Sequence, residues 1–266
     1  MKRLFTVGIL AAVVVAGVLS ATYFGTRKTH ETLPDRPIVV AVIDQYPPFS
    51  YVAENGERMG YDFDLGHDIC RMMKVRCIFK AYPLGDIRAL LEDNKVDVAI
   101  AGLRASPERM RTFAFSDAYY RSLPFFITNH PSLIPFIEQD PRRLVIGVME
   151  KSMQYKRLMS DYAEAGIKIK TYAKYEDIPK ALHEGDINMM FTDGLSGYAL
   201  LKSPLGRDLR IAGNYPFVDS ALTDSRIAVS IEHKDWIDRI NLALIRLQAS
   251  GRYQELSLRY FPYINY

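Results

Sequence analysis

The chain has 266 residues, 48% of them hydrophobic, 12% aromatic and 24% charged, which excludes a disordered tail, a collagen-like fibre and a coiled coil and leaves room for one large domain or two smaller ones with proper apolar cores. The formal charge of +3 includes Lys2, Arg3, Arg27 and Lys28, all in the first 30 residues, where there is no acid; setting those four aside leaves 30 basic against 31 acidic residues. A neutral body without a basic stripe argues against nucleic acid as the partner, because counterion release needs clustered Lys and Arg.

Met1-Lys2-Arg3 is a short positive n-region, and Leu4 to Phe24 follows as 21 uncharged residues before Gly25-Thr26-Arg27-Lys28. That pattern is an export signal. Val18-Leu19-Ser20 offers a cleavage site before Ala21, yet the apolar stretch exceeds a usual signal core of roughly 7–15 residues and reaches the roughly 18 that can span a bilayer. Residues 1–24 are therefore expected to be either a cleaved signal peptide or a retained N-terminal anchor that attaches the protein to the membrane, with a polar tether from 25 to 36. In both cases the body is periplasmic or extracytoplasmic. A lipoprotein would need a cysteine just after the apolar core, and the only two cysteines are Cys70 and Cys77.

The body then alternates strand and helix. Ile38 to Ile43 is a β-branched run, followed by a helical stretch from Asp62 to Lys74 with Leu65, Ile69, Met72 and Met73 on one face. Cys70 closes that helix and Cys77 opens the next apolar run, so a disulfide stapling helix end to strand start is expected in an oxidising compartment, two buried free thiols being the alternative. Next come a strand at Ile78 to Ala81, a helix near Asp86 to Asp93, a strand at Val96 to Ala101 and a helix opened by Ser106-Pro107-Glu108, where Ser is the N-cap and Pro the first helical residue. After Arg143 the series resumes, with strands at Leu144 to Val148, Lys168 to Tyr172 and Ile187 to Phe191 and helices near Met153 to Ala165 and Tyr175 to Glu184. Repeated β-α-β units imply mostly parallel sheets covered by helices on both faces. Between the two series lies the β-type run Ser122 to Asn129, and a late strand at Arg226 to Ile231 precedes an amphipathic helix from about Lys234 to Ala249. If that late segment returns to the first series, the chain crosses between two lobes twice and its two connecting strands form a hinge beside a cleft. Ligands of open α/β sheets bind outside the carboxyl ends of the strands. The five histidines (His30, His67, His130, His183, His233) and two cysteines show no ligand spacing, so neither a metal nor a cofactor is expected.

Four motifs occur in order: Gly60-Tyr61-Asp62-Phe63-Asp64-Leu65, Val96-Asp97-Val98-Ala99-Ile100-Ala101-Gly102, Ser106-Pro107-Glu108-Arg109 and Phe115-Ser116-Asp117-Ala118-Tyr119-Tyr120. Together they resemble the periplasmic amino-acid-binding proteins of ABC importers (solute-binding protein family 3), particularly the lysine/arginine/ornithine and histidine binders, over about Ile38 to Tyr260. The resemblance implies an α/β, two-lobed periplasmic-binding-protein fold of type II with a two-strand hinge and a cleft between the lobes, lobe 1 from residues 37–121 plus 224–266 and lobe 2 from 122–223. It also implies a small-molecule ligand, an amino acid or related carboxylate, an ABC permease as partner, a monomer, and a cysteine pair like Cys70 and Cys77.

Carried over by residue, the resemblance implies that Arg109 grips the ligand's α-carboxylate, as its forked guanidinium suits, that Asp193 pairs with the α-ammonium, and that Gly102 belongs to the site. From the residues alone, Arg109 is a solvated residue of a first helical turn and Asp193 an N-cap. Ser152 and Gln154 begin the helix after Leu144 to Val148, where backbone N–H groups favour an anion, or else form an ordinary cap. Tyr46 and Phe49 fall where the family places an aromatic wall, packing being the alternative role of each, and Leu84 stands where an aromatic is usual. Arg104 replaces a usual Ser or Thr, Lys151 a usual Gly and Met153 a usual Thr. With Arg104 and Arg109 facing one cleft, a second acidic group on the ligand would be needed to neutralise both; alternatively Arg104 turns outward to Glu108 or Asp219. A competing reading is a cyclohexadienyl-dehydratase-like enzyme with Glu150 as general acid. A third is an anchored sensory module; with the sequence ending at Tyr266, its signalling is expected to need a partner.

Overall fold

The computed structural model describes residues 34–262 apart from 136–138, 163 and 217. The export signal or anchor, and most of the tether, lie outside the described residues.

The first half of the chain runs through β1 (Ile38–Ile43), a small hairpin of β2 (Tyr51–Val52) and β3 (Arg58–Met59), α1 (Tyr61–Met73), β4 (Cys77–Tyr82), α2 (Leu84–Glu92), β5 (Val98–Leu103), β6 (Phe113–Arg121) and β7 (Phe125–Thr128). It continues with β8 (Val145–Met149), α3 (Met153–Asp161), β9 (Lys168–Tyr172), α4 (Asp177–Glu184), β10 (Met189–Thr192), α5 (Gly194–Lys202), β11 (Arg210–Asn214), α6 (Ser220–Thr223), β12 (Asp224–Ser230), α7 (Trp236–Ala249) and α8 (Arg252–Tyr260).

Two five-stranded sheets result, in the orders β4-β1-β5-β12-β6 and β9-β8-β10-β7-β11. In each, three parallel strands carry the β-α-β crossovers, and the last two strands pair antiparallel. Burial follows position. The central β5 and β10 are buried at every residue, whereas every residue of the edge strand β9 is exposed or half-buried, as expected where helices cover both faces of the middle of a parallel sheet but not its rim. The chain leaves the first sheet at Arg121 and returns at Asp224, two residues that pair with each other, and it enters and leaves the second sheet through the paired residues Phe125 and Asn214. The two crossings lie side by side, tied by Ser122 N–H to Thr223 O (3.2 Å) and Tyr215 N–H to Pro124 O (3.3 Å).

Local chemistry explains the element ends. α1 starts at Gly60, whose φ of +132° and whose position, with an ideal Cβ 2.2 Å from Phe49 O, admit only glycine. Asp62 and Asp64 complement the positive end of that helix, and Lys74 closes it in the left-handed region. The Cys70–Cys77 disulfide is formed, and closing so short a loop contributes about 2–3 kcal/mol in the chain-entropy account.

The helix expected from Ser106-Pro107-Glu108 is instead one 3-10 turn, Arg109–Arg111. Ser106 Oγ accepts from Arg109 N–H (3.3 Å) as a cap should, but Phe113 begins a nine-residue strand, and pairing with β12 outweighs continuation of the turn. β6, β11, α5 and α8 are further elements that hydrophobic periodicity did not mark.

Candidate functional site

The carboxyl ends of β1, β5, β8 and β10 face one another and enclose a chamber of about 40 Å³, room on the order of a few water molecules. Leu84, Leu103 and Arg109 form a shared wall with a second chamber of about 250 Å³, lined further by Leu91, Phe113, Phe115, Arg88, Lys151 and Lys156. The walls come from both sheets. Across them Lys156 Nζ meets Glu108 at 2.7 Å, a carboxylate that also takes Arg88 at 2.7 Å, and Tyr46 packs edge-on to Tyr175 with centroids 4.9 Å apart. Lys156 and Arg88 hold the Glu108 carboxyl down to about 2.

Arg104 points inward and is only 6% exposed. Its Nη2 donates to Asp193 Oδ2 at 2.5 Å, Nη1 to Gly102 O at 2.6 Å and Nε to Leu222 O at 3.1 Å. Gly102 reaches this position with φ +56°, and a Cβ there would lie 2.7 Å from Tyr120 Oη; glycine is needed to offer its carbonyl. Burial opposes the Arg104 charge, but Tyr120 and Asp193 together hold its pKa above the ordinary arginine range. Asp193 is as fully used: Oδ1 accepts from Ser122 Oγ (3.1 Å), Leu195 N–H (3.0 Å) and Ser196 N–H (3.5 Å), the last two as N-cap of α5. Neither proposed outward partner, Glu108 or Asp219, bonds Arg104. The idea that two guanidiniums here await two ligand anions is corrected accordingly, because Asp193 already neutralises Arg104.

Arg109 differs. Its Nη1 donates to Arg104 O at 3.0 Å, and among the described residues no carboxylate lies within ion-pair distance. Burial first, then the positive charge of Arg104, lowers its pKa. Gln154, 7% exposed, also lines the inner chamber, and its side-chain amide has no hydrogen-bond partner among the described residues. Among the described residues, an unpaired cation and a free amide thus share the chamber wall with the Arg104–Asp193 pair and the hydroxyls of Ser152 and Thr192.

Tyr46, Leu84, Gly102, Ser152 and Met153 also line the inner chamber. Ser152 is an N-cap with both capacities spent, accepting from Tyr155 N–H (3.0 Å) and donating to Met149 O (2.7 Å). Phe49 is a correction: 1% exposed and outside the lining, it stacks on Tyr46 and Tyr120 with centroids 5.6 and 4.9 Å away. It supports the tyrosine wall from behind. Lys151 has φ +55°, a conformation suited to glycine, and Glu150 lies outside both chamber linings. The sequence did not single out Tyr175, Thr192 and Met149, which also line the chamber. Met149 and Thr192 end β8 and β10, so the strand-end rule would have found them; Tyr175 lies in a loop and had no such signal. No group of three or more potential metal ligands occurs among the described residues.

Two linked α/β sheets with a chamber at their strand ends define the class of two-lobed binding proteins. A sequence profile described as bacterial extracellular solute-binding proteins, family 3, matches residues 38–263, and the chain belongs to that family. It is 25% identical over 271 residues to an L-arginine-binding protein of Pseudomonas aeruginosa, covering 99% of this chain and 98% of that one. The structure matches an ancestral arginine-binding protein bound to arginine with a TM-score of 0.76 at 25% identity, covering 85% of this chain and 98% of that one. It also matches the ancestral amino-acid-binding protein AncCDT-1, described as a precursor of cyclohexadienyl dehydratase, with a TM-score of 0.74 at 20% identity over 85% and 95% of the two chains. Among the described residues no helix is long and apolar enough to cross a membrane.

Proposed function

We propose that this protein is an extracytoplasmic receptor that captures a small carboxylated solute, an amino acid or a relative of one, and hands it to an ABC permease. One observation carries the reading: Arg109 presents to a chamber at the strand ends a half-buried guanidinium that has no counter-ion among the described residues. Taking up a carboxylate there supplies the missing charge and a bidentate partner. Lobe 1 is assigned to 37–121 plus 224–266 and lobe 2 to 122–223, with closure favoured because only the closed state lets both lobes touch the solute. Tyr46, Leu84, Gly102, Ser152, Met153 and Gln154 form the remaining walls, and Arg104 and Asp193 join the lobes behind them. The receptor acts as a monomer, exported by its N-terminal segment and tethered by it if that segment is retained. The names of the relatives, including an L-arginine-binding protein, favour this class of solute.

Thermal unfolding of the purified protein against amino acids and small organic acids tests the reading, since a ligand that binds only the native state raises its stability. At least one carboxylated solute should raise the midpoint, and Arg109→Ala should remove that shift. A panel without any carboxylate effect would overturn it.

A further inference from the structure

Resting on the receptor reading above, we infer that the solute this cleft selects is a carboxylate without an α-ammonium group. Two features on opposite sides of the cleft carry this.

The first is the charge count at the inner chamber. Its lining holds two cations, Arg104 and Arg109, and one anion, Asp193. Asp193 is 1% exposed; one oxygen is taken by Arg104 and the other by Ser122 and the first turn of α5. An ammonium entering here would find no carboxylate available and would face the Arg104 guanidinium at close range, where desolvated like charges repel strongly. The other buried acid nearby, Asp62, does not line the chamber; the Tyr119 hydroxyl donates to it at 2.8 Å, and burial raises its pKa well above the ordinary carboxylate range. The balance of the lining is therefore one positive charge, met by one ligand carboxylate on Arg109.

The second feature is the second, larger chamber, which shares Arg109 in its lining. Leu91, Phe113 and Phe115 give it an apolar wall, and its basic residues Arg88, Lys151 and Lys156 repel a cation there: Arg88 and Lys156 share the one carboxylate of Glu108, and among the described residues Lys151 Nζ reaches Gly85 O at 3.5 Å. A ligand whose carboxylate sits on Arg109 can place an apolar body there. Gln154 supplies a neutral donor and acceptor suited to a 2-oxo or 2-hydroxy oxygen, where an amino acid would bring a charged donor.

Calorimetric titration of the purified full-length protein with matched pairs tests this: 4-methyl-2-oxopentanoate against leucine, phenylpyruvate against phenylalanine, and 5-guanidino-2-oxopentanoate against arginine. At least one oxo acid should bind, about tenfold or more tighter than its amino acid. Arg104→Ser and the bulkier Arg104→Gln, which free Asp193, should shift the preference toward the amino acid. Tighter binding of the amino acid by the wild-type protein would overturn the inference and leave the carboxylate receptor intact. No binding by any member of any pair would overturn both. An oxo-acid preference unchanged in an Arg104 variant that folds would also overturn it, since the ion pair would then not be its cause.

Discussion

Arg104 and Arg109 lie five positions apart between β5 and β6 and line the same chamber, yet they have opposite standing. Arg104 is almost wholly buried, and each of its nitrogens bonds a protein oxygen. Arg109 is half-buried, and among the described residues its side chain gives one bond, to a backbone carbonyl. A guanidinium whose desolvation is repaid by protein oxygens holds the structure together, whereas one whose desolvation is not repaid is poised for an outside anion. On the proposed reading the inner Arg104–Asp193 wall is structural and the wall at Arg109 receives the solute.

The largest expected effect comes from breaking the inner wall. Arg104→Ala or Asp193→Ala leaves a buried charge alone and should cost about 3–5 kcal/mol, with Asp193→Ala the worse because it also uncaps α5. Denaturant midpoints measure both. The double variant Arg104→Leu/Asp193→Asn, which removes both charges and keeps a capping side chain, should recover more than half of the loss. A double variant as unstable as the sum of the singles would break the comparison.

Arg109→Ala should do the reverse, leaving stability within about 0.5 kcal/mol because no ion pair is lost, while costing roughly 2–5 kcal/mol of binding to a carboxylate ligand. Away from the cleft, Cys70→Ala/Cys77→Ala should lower stability by about 2–3 kcal/mol in urea titrations and leave solute affinity unchanged.

The smallest effect sharpens the contrast with the same chemistry in a wetter place. Arg36 donates twice to Asp97, at 2.6 and 2.7 Å; Asp97 is buried, with 3% of its side chain exposed, but the Arg36 side chain is 54% exposed and stays solvated when its partner is lost. Burial works against the Asp97 charge, yet Arg36 and the Val39 N–H hold its pKa below the ordinary value. Since the folded value is the lower, Asp97 contributes stability above the unfolded pKa of about 4, and this is lost as pH falls through the folded value. Asp97→Asn should cost about 1 kcal/mol or less at neutral pH and flatten stability against pH below about 4. A loss as large as that of the Arg104 pair would mean that burial does not set the difference.

The alternation of strands and helices was readable because the apolar runs of β1, β5, β8 and β10 are buried on both faces and their helices carry one apolar stripe. β6 was hidden because Ser106-Pro107 is a strong helix signal and the strand that outweighs it pairs with residues over 100 positions away. The strand-end rule pointed to the cleft, and the motifs to Arg109 and Asp193. The N-cap role of Asp193 was legible, but its ion pair was not: its partner Arg104 lies 89 positions away, on the opposite sheet, and only the fold brings them together. Whether Phe49 lines the wall or packs behind it was undecided for a similar reason, since a wall residue and the ring stacked behind it have the same character in sequence.

Calorimetric titration of Arg109→Ala beside the wild-type protein, using whichever carboxylate gives the largest thermal shift, tests the central claim most directly. The account predicts at least about thirtyfold weaker binding, the lower end of the loss expected for an unpaired ligand charge, with an unchanged unfolding midpoint. Affinity within threefold of wild type would show that the carboxylate is held elsewhere and would contradict it.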